Sequence, residues 1–145
     1  MKRALLTPLI ACAIFCISCN KEITQTPQYP IEGLWIGTFS FTEGATSFPA
    51  QYFSYIIKPD GKMIVELHHE GVTYFATGTW TLTGDSLLCR YTFPVSNIGP
   101  NLKQISSSAF DKSGKLTGTW SNANNSWQAV ADDNQKGSFS LSREN

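Results

Sequence analysis

The chain has 145 residues, with eleven Lys and Arg against eleven Asp and Glu, two His and four Cys. Balanced charge without a basic run excludes the electrostatic footprint of a nucleic-acid binder. The length points to one domain, large enough to bury a core without covalent staples.

Met1, Lys2 and Arg3 precede the apolar stretch "ALLTPLIACAIFCIS", Ala4 to Ser18. A basic start, an apolar run and small residues at its end are the pattern of a signal peptide. A spanning helix needs about 20 apolar residues, and this run stops sooner, at the polar "CNKE". Its end, Cys16-Ile17-Ser18-Cys19, resembles a bacterial lipobox through Ile17, Ser18 and Cys19, with cysteine at position 16 where leucine is usual. The resemblance implies cleavage before Cys19 and acylation of its sulfur, each buried methylene then holding the chain to a bilayer by about 0.8 kcal/mol. The chain is therefore expected to be exported and lipid-anchored to the bacterial cell envelope, at the outer membrane, with the membrane as its first partner. The expected organisation is a signal peptide over 1–18, a flexible tether over 19–31 and a folded domain over 32–145.

Past residue 18, nine Lys and Arg face eleven Asp and Glu, a formal charge near −2 (9 − 11). Beyond the anchor only Cys89 remains, so no internal disulfide forms even in an oxidising compartment. The segment "NKEITQTPQYP" is polar and holds Pro27 and Pro30; such a chain extends by about 3.1 Å per residue.

From Ile31 onward apolar and polar residues alternate. In "KMIVEL" Met63, Val65 and Leu67 oppose Lys62 and Glu66; in "YFATGTWTL" Tyr74, Ala76, Gly78, Trp80 and Leu82 share one parity; in "LLCRYTF" Leu87, Cys89, Tyr91 and Phe93 do; in "GSFSLSR" Phe139 and Leu141 oppose serines. A period of two makes these half-buried strands and makes Cys89 a small core hydrophobe. Pro59-Asp60-Gly61, Thr83-Gly84-Asp85 and Asp111-Lys112-Ser113-Gly114 are turn signals between them. Strands are predicted near 33–42, 51–58, 62–69, 72–82, 86–93, 104–110, 115–121, 127–131 and 137–142. The fold class is all-β: a single antiparallel up-and-down β-barrel of about eight strands, whose closure removes exposed edges.

One tripeptide recurs: Gly33-Leu34-Trp35, Gly78-Thr79-Trp80 and Gly118-Thr119-Trp120. Glycine and tryptophan then share a strand face, and the missing side chain is expected to leave room for the ring, with the tryptophans turned to one dry interior. The strand that starts "GLWIGTF" resembles the first strand of lipocalin-like barrels of the calycin group, and especially their small bacterial lipoproteins. In those barrels the first Gly-x-Trp closes one end, which assigns that structural role to Gly33 and Trp35. The chain departs from the pattern in having no long helix after the last strand. Arg143 stands too near the terminus to be matched to the basic residue that covers the tryptophan there.

The chemistry on offer is thin. "ELHHEG" holds Glu66, His68, His69 and Glu70, but on a strand the adjacent histidines point apart, and zinc wants three or four converging ligands. No metal, cofactor or catalytic residue is assigned, since no nucleophile elbow or phosphate loop occurs. Seventeen of eighteen aromatic residues lie beyond Cys19. An eight-stranded barrel can be filled by side chains or hold one small ligand. One reading is therefore an apolar pocket lined from among Phe39, Phe41, Val65, Leu67, Tyr74 and Tyr91, taking a small apolar ligand. The other is a plugged barrel that binds or inhibits an envelope protein through its loops or outer surface.

Overall fold

Side-chain parity decides which way each strand faces, and the computed structural model follows it closely. Residues 29–96, 100–130 and 135–145 are described. The signal segment, Cys19 and the tether through residue 28 lie outside them. The strands are β1 (Gly33–Glu43), β2 (Thr46–Ser47), β3 (Gln51–Ile57), β4 (Lys62–His69), β5 (Val72–Thr83), β6 (Ser86–Phe93), β7 (Leu102–Asp111), β8 (Lys115–Asn122) and β9 (Gln135–Arg143). No helix occurs among the described residues.

Each long strand pairs antiparallel with its sequence neighbour, in the order β1-β3-β4-β5-β6-β7-β8-β9, and β9 pairs back onto β1. The seam runs from Trp35 opposite Arg143 to Glu43 opposite Gln135. The result is the expected closed eight-stranded barrel, with β2 as an extra two-residue strand folded against the end of β1. The last predicted strand but one is corrected: 127–130 is a turn, tied by one bridge between Ala123 and Ala129. The Asn124 carboxamide accepts hydrogen bonds from the Ser126 and Gln128 backbone N–H groups, which bends the chain where a ladder would need it extended.

Closing eight strands demands sharp bends, and the inward glycines supply them. A Cβ on Gly37, Gly78, Gly118 or Gly137 would sit 2.0, 2.1, 2.3 or 1.8 Å from a carbonyl oxygen of the neighbouring strand. Real Cβ atoms do not come that close, so only glycine lets the adjacent backbone fold inward there. This corrects the packing role expected for Gly-x-Trp: at Gly78 and Gly118 the vacated space holds the backbone of the neighbouring strand and the Cβ of Tyr91 or Ser108, not the tryptophan ring.

At one end the barrel is sealed. Trp35 is fully buried, donates its indole N–H to Ile31 O at 2.8 Å and meets Phe110 edge-on at 5.8 Å. The Arg143 guanidinium lies between Tyr29 and Trp35, 5.7 and 6.0 Å from their ring centres, and donates to the carbonyls of Pro30 and Glu32. Gly33 makes room for it, since a Cβ there would lie 2.8 Å from its Nη1. Arg143 is thus the basic cover of the tryptophan, despite its place near the terminus. Of the tether residues, Tyr29 donates its N–H to Lys112 O and Ile31 is buried, so this stretch packs onto the sealed end.

Rings fill the middle. Phe53, Tyr55, Tyr91 and Phe139 interlock at centroid distances of 5.0 to 6.1 Å. The Tyr55 hydroxyl hydrogen-bonds with that of Ser106 at 2.9 Å, which satisfies a phenol that burial would otherwise orphan. Cys89 is a buried free thiol, as its parity implies. Trp35 and Trp120 face this interior and Trp80 is half-buried at its edge, whereas Trp127 lies outside, in the turn, under Lys103.

Candidate functional site

At the end opposite Trp35 the packing loosens into a cavity of about 200 Å³. Four of the residues predicted to line a pocket meet in its wall: Phe39 and Phe41 from β1, Leu67 from β4 and Tyr74 from β5. Val65 and Tyr91 do not reach it. Both are fully buried in the ring-filled middle, one or two residues below the cavity along β4 and β6. Parity placed all six side chains inside the barrel, but depth along the axis separates the four from the two.

Several lining residues were not singled out by sequence. Phe48 follows β2, in a segment without periodicity, and stacks on Phe41 at 4.2 Å with nearly parallel planes. The β1–β2 hairpin carries it over the mouth. Trp120, at the far end of the third Gly-x-Trp, forms another wall with Phe93, Leu102 and Gln104. Their inward parity was readable; their height in the barrel was not.

The polar groups at the mouth have definite placements. His69 lies edge-on to Phe41 at 5.4 Å and shares a 3.0 Å hydrogen bond with Gln51, whereas His68 points outward, bonds Glu66 at 2.8 Å and stacks on Tyr52. The two histidines therefore face apart, as strand geometry requires. Glu70 and Gly71 both have positive φ, 51° and 77°, the signature of a tight two-residue hairpin, and the turn leaves Glu70 at the rim. Glu43 lines the opposite side and accepts from Gln135 Nε2 at 3.4 Å. Among the described residues, no three His, Cys, Asp or Glu side chains converge as a metal site would need.

Three buried donors mark the difference between wall and floor. Trp120 is 7% exposed and its indole N–H has no partner among the described residues; the nitrogen lies against Gly137, 2.8 Å from where a Cβ would stand. Deeper in, burial lifts the Cys89 thiol to about 12 and raises the phenol of Tyr91 well above its ordinary range. Neither is poised for acid–base work near neutral pH.

A second hollow of about 650 Å³ lies on the outer wall of β1, β9, β8 and β7, lined largely by hydroxyls such as Ser40, Ser107, Thr119 and Ser138. It shares Phe41, Phe48 and Trp120 with the mouth but adds mostly hydroxyls, whereas the mouth brings six aromatic rings together with a few polar groups, so the mouth is the better candidate.

No model of a protein family matches the chain, and no curated protein does. Among solved structures it is similar to a redesigned β-barrel, at 16% identity over 79% of this chain and 91% of that one, with a TM-score of 0.52. It is also similar to the structure of EF1p2_mFAP2b bound to DFHBI, at 17% identity over 78% and 93%, with a TM-score of 0.52. These likenesses support the fold, a closed antiparallel β-barrel, and nothing finer.

Proposed function

We propose that the chain is an exported lipoprotein, anchored at the cell envelope through acylated Cys19, whose barrel binds a small apolar ligand at its open end. One observation carries the binding reading: the rings are packed solid through the middle, yet six of them surround an unfilled cavity at the mouth. A closed end at Trp35 and an open end at Phe41 make a cup rather than a channel. That EF1p2_mFAP2b was solved bound to DFHBI is compatible with this use of the fold. The volume, about 200 Å³, lies below the roughly 300 Å³ at which drug-sized pockets begin, so the ligand is compact rather than a long acyl chain. We assign no enzymatic activity to the barrel.

Titration with compact aromatic probes, followed by tryptophan emission, tests the binding reading because Trp120 lies in the wall. A Leu67→Trp variant that fills the cavity should abolish the change. Unaltered emission across the series, with the fold intact, would overturn the reading. The anchor is tested separately by metabolic labelling with an alkyne fatty acid, which should mark the chain and fail to mark Cys19→Ala.

The second reading, a barrel that engages an envelope protein from outside, is favoured by a different observation. Leu34, Ile56 and Phe75 are exposed on the outer faces of β1, β3 and β5. Changing all three to serine should abolish capture of such a partner and leave ligand binding untouched.

A further inference from the structure

The mouth combines ring faces with acid, and its lining contains no Lys or Arg among the described residues. We propose that its ligand is a small organic cation, an aromatic or alkyl amine in its ammonium form, selected over the matching acid. This rests on the small-ligand reading above and adds the charge of the ligand to it.

The argument starts from the rings. Phe39, Phe41, Phe48, Tyr74, Phe93 and Trp120 line the cavity, and an aromatic face presents negative potential to whatever lies over it. Two carboxylates complete the rim, Glu43 from the end of β1 and Glu70 from the β4–β5 turn. Glu70 is presented by a hairpin with positive φ, so its place at the rim is built into the backbone. The basic side chains near this end are directed elsewhere. Lys103 donates to Asn125 at 3.0 Å and lies over the Trp127 ring at 5.3 Å, and Lys136 lines the outer hollow beside Ser138. His69 is engaged with Gln51 and the edge of Phe41. An anion entering the mouth would thus meet two carboxylates and the faces of six rings, with no Lys or Arg among the described lining residues. An ammonium group would meet opposite charge at the rim and cation–π attraction below it, both strengthened as water leaves the site.

Three probes of nearly equal size isolate the charge: phenethylammonium, 2-phenylethanol and phenylacetate. Each is titrated by calorimetry into the full chain in zwitterionic phospholipid nanodiscs, with empty nanodiscs as the blank. Phenethylammonium is expected to bind about tenfold tighter than 2-phenylethanol, and phenylacetate weakest of the three. In the Glu43→Gln/Glu70→Gln double variant the advantage of the amine should shrink by several-fold while the affinity of 2-phenylethanol stays the same. Both glutamates are exposed, so the variant is expected to fold. Phenylacetate binding as tightly as the amine would overturn the charge preference and leave the pocket reading standing. Equal affinity of amine and alcohol would do the same. Binding of none of the three overturns both.

Discussion

The two buried tryptophans at opposite ends of the barrel share a Gly-x-Trp origin and differ in everything around them. Trp35 has its indole N–H satisfied by Ile31, its face covered by Arg143 and its edge against Phe110. Trp120 is almost as buried, yet its N–H has no partner among the described residues and a cavity lies beside it. The indole at the sealed end is thus fully committed, whereas the one at the open end borders a cavity with its N–H uncommitted; the buried hydroxyls of Tyr91 and Ser108 are likewise without a partner among the described residues, but away from the mouth. Binding sites tend to be where a fold leaves such groups unsatisfied, because a ligand can then supply what the chain does not.

The largest effect should come from breaking the sealed end. Trp35→Ala is expected to cost about 3–5 kcal/mol, since it removes a fully buried indole and the contacts of Arg143, and urea unfolding would measure it. Gly78→Ala comes next, at about 1–3 kcal/mol or more, because its Cβ would stand 2.1 Å from Arg90 O. If Gly78→Ala unfolds no more readily than Gly44→Ala, whose Cβ would meet nothing within 4 Å, then glycine is not what bends the wall.

A matched pair sharpens the comparison of ends. Trp35→Phe should lose about 1 kcal/mol more than Trp120→Phe, because the first change leaves Ile31 O without its donor and the second removes a donor that was already unpaired. Equal losses in thermal melts would mean that the two indoles are not differently satisfied.

The smallest effect at neutral pH lies in the middle. Cys89 is pushed up to about 12 by burial, and the phenols of Tyr55 and Tyr91 are raised by burial too. A thiol in the unfolded chain ionises near 8.5. Because the folded value is the higher one, this contribution is fully present below about pH 8.5 and is lost as pH rises toward 12. Stability should therefore be flat near neutrality and decline above about pH 9, more gently in Cys89→Ala. A thiol reagent at pH 7.5 should label Cys89 only at the rate of opening.

Much of this was legible because water faces one side of every wall. The polar residues between Leu87, Cys89, Tyr91 and Phe93 gave β6 its period, and the same logic fixed β4, β5 and β9. Position along the barrel axis leaves no such trace, so Val65 and Leu67 looked equivalent although only Leu67 reaches the mouth. Strand β2 is two residues long, too short to show any period, and it brings Phe48 to the site. Residues 127–130 held a tryptophan and a valine and imitated a strand, but the side chain of Asn124 competes for the backbone there. Arg143 over Trp35 depends on a pairing across more than a hundred residues, which no local pattern encodes.

The seam between β1 and β9 has a bearing on how the chain is made. β1 leaves the ribosome ahead of every other described strand, and β9, one of the two long strands that flank it, leaves after all of them. Until Gln135 to Arg143 emerge, β1 and β8 each keep an open edge able to pair with another nascent copy. Loss of the final eleven residues should thus convert a self-contained molecule into one that polymerises, rather than into a slightly weaker version of itself.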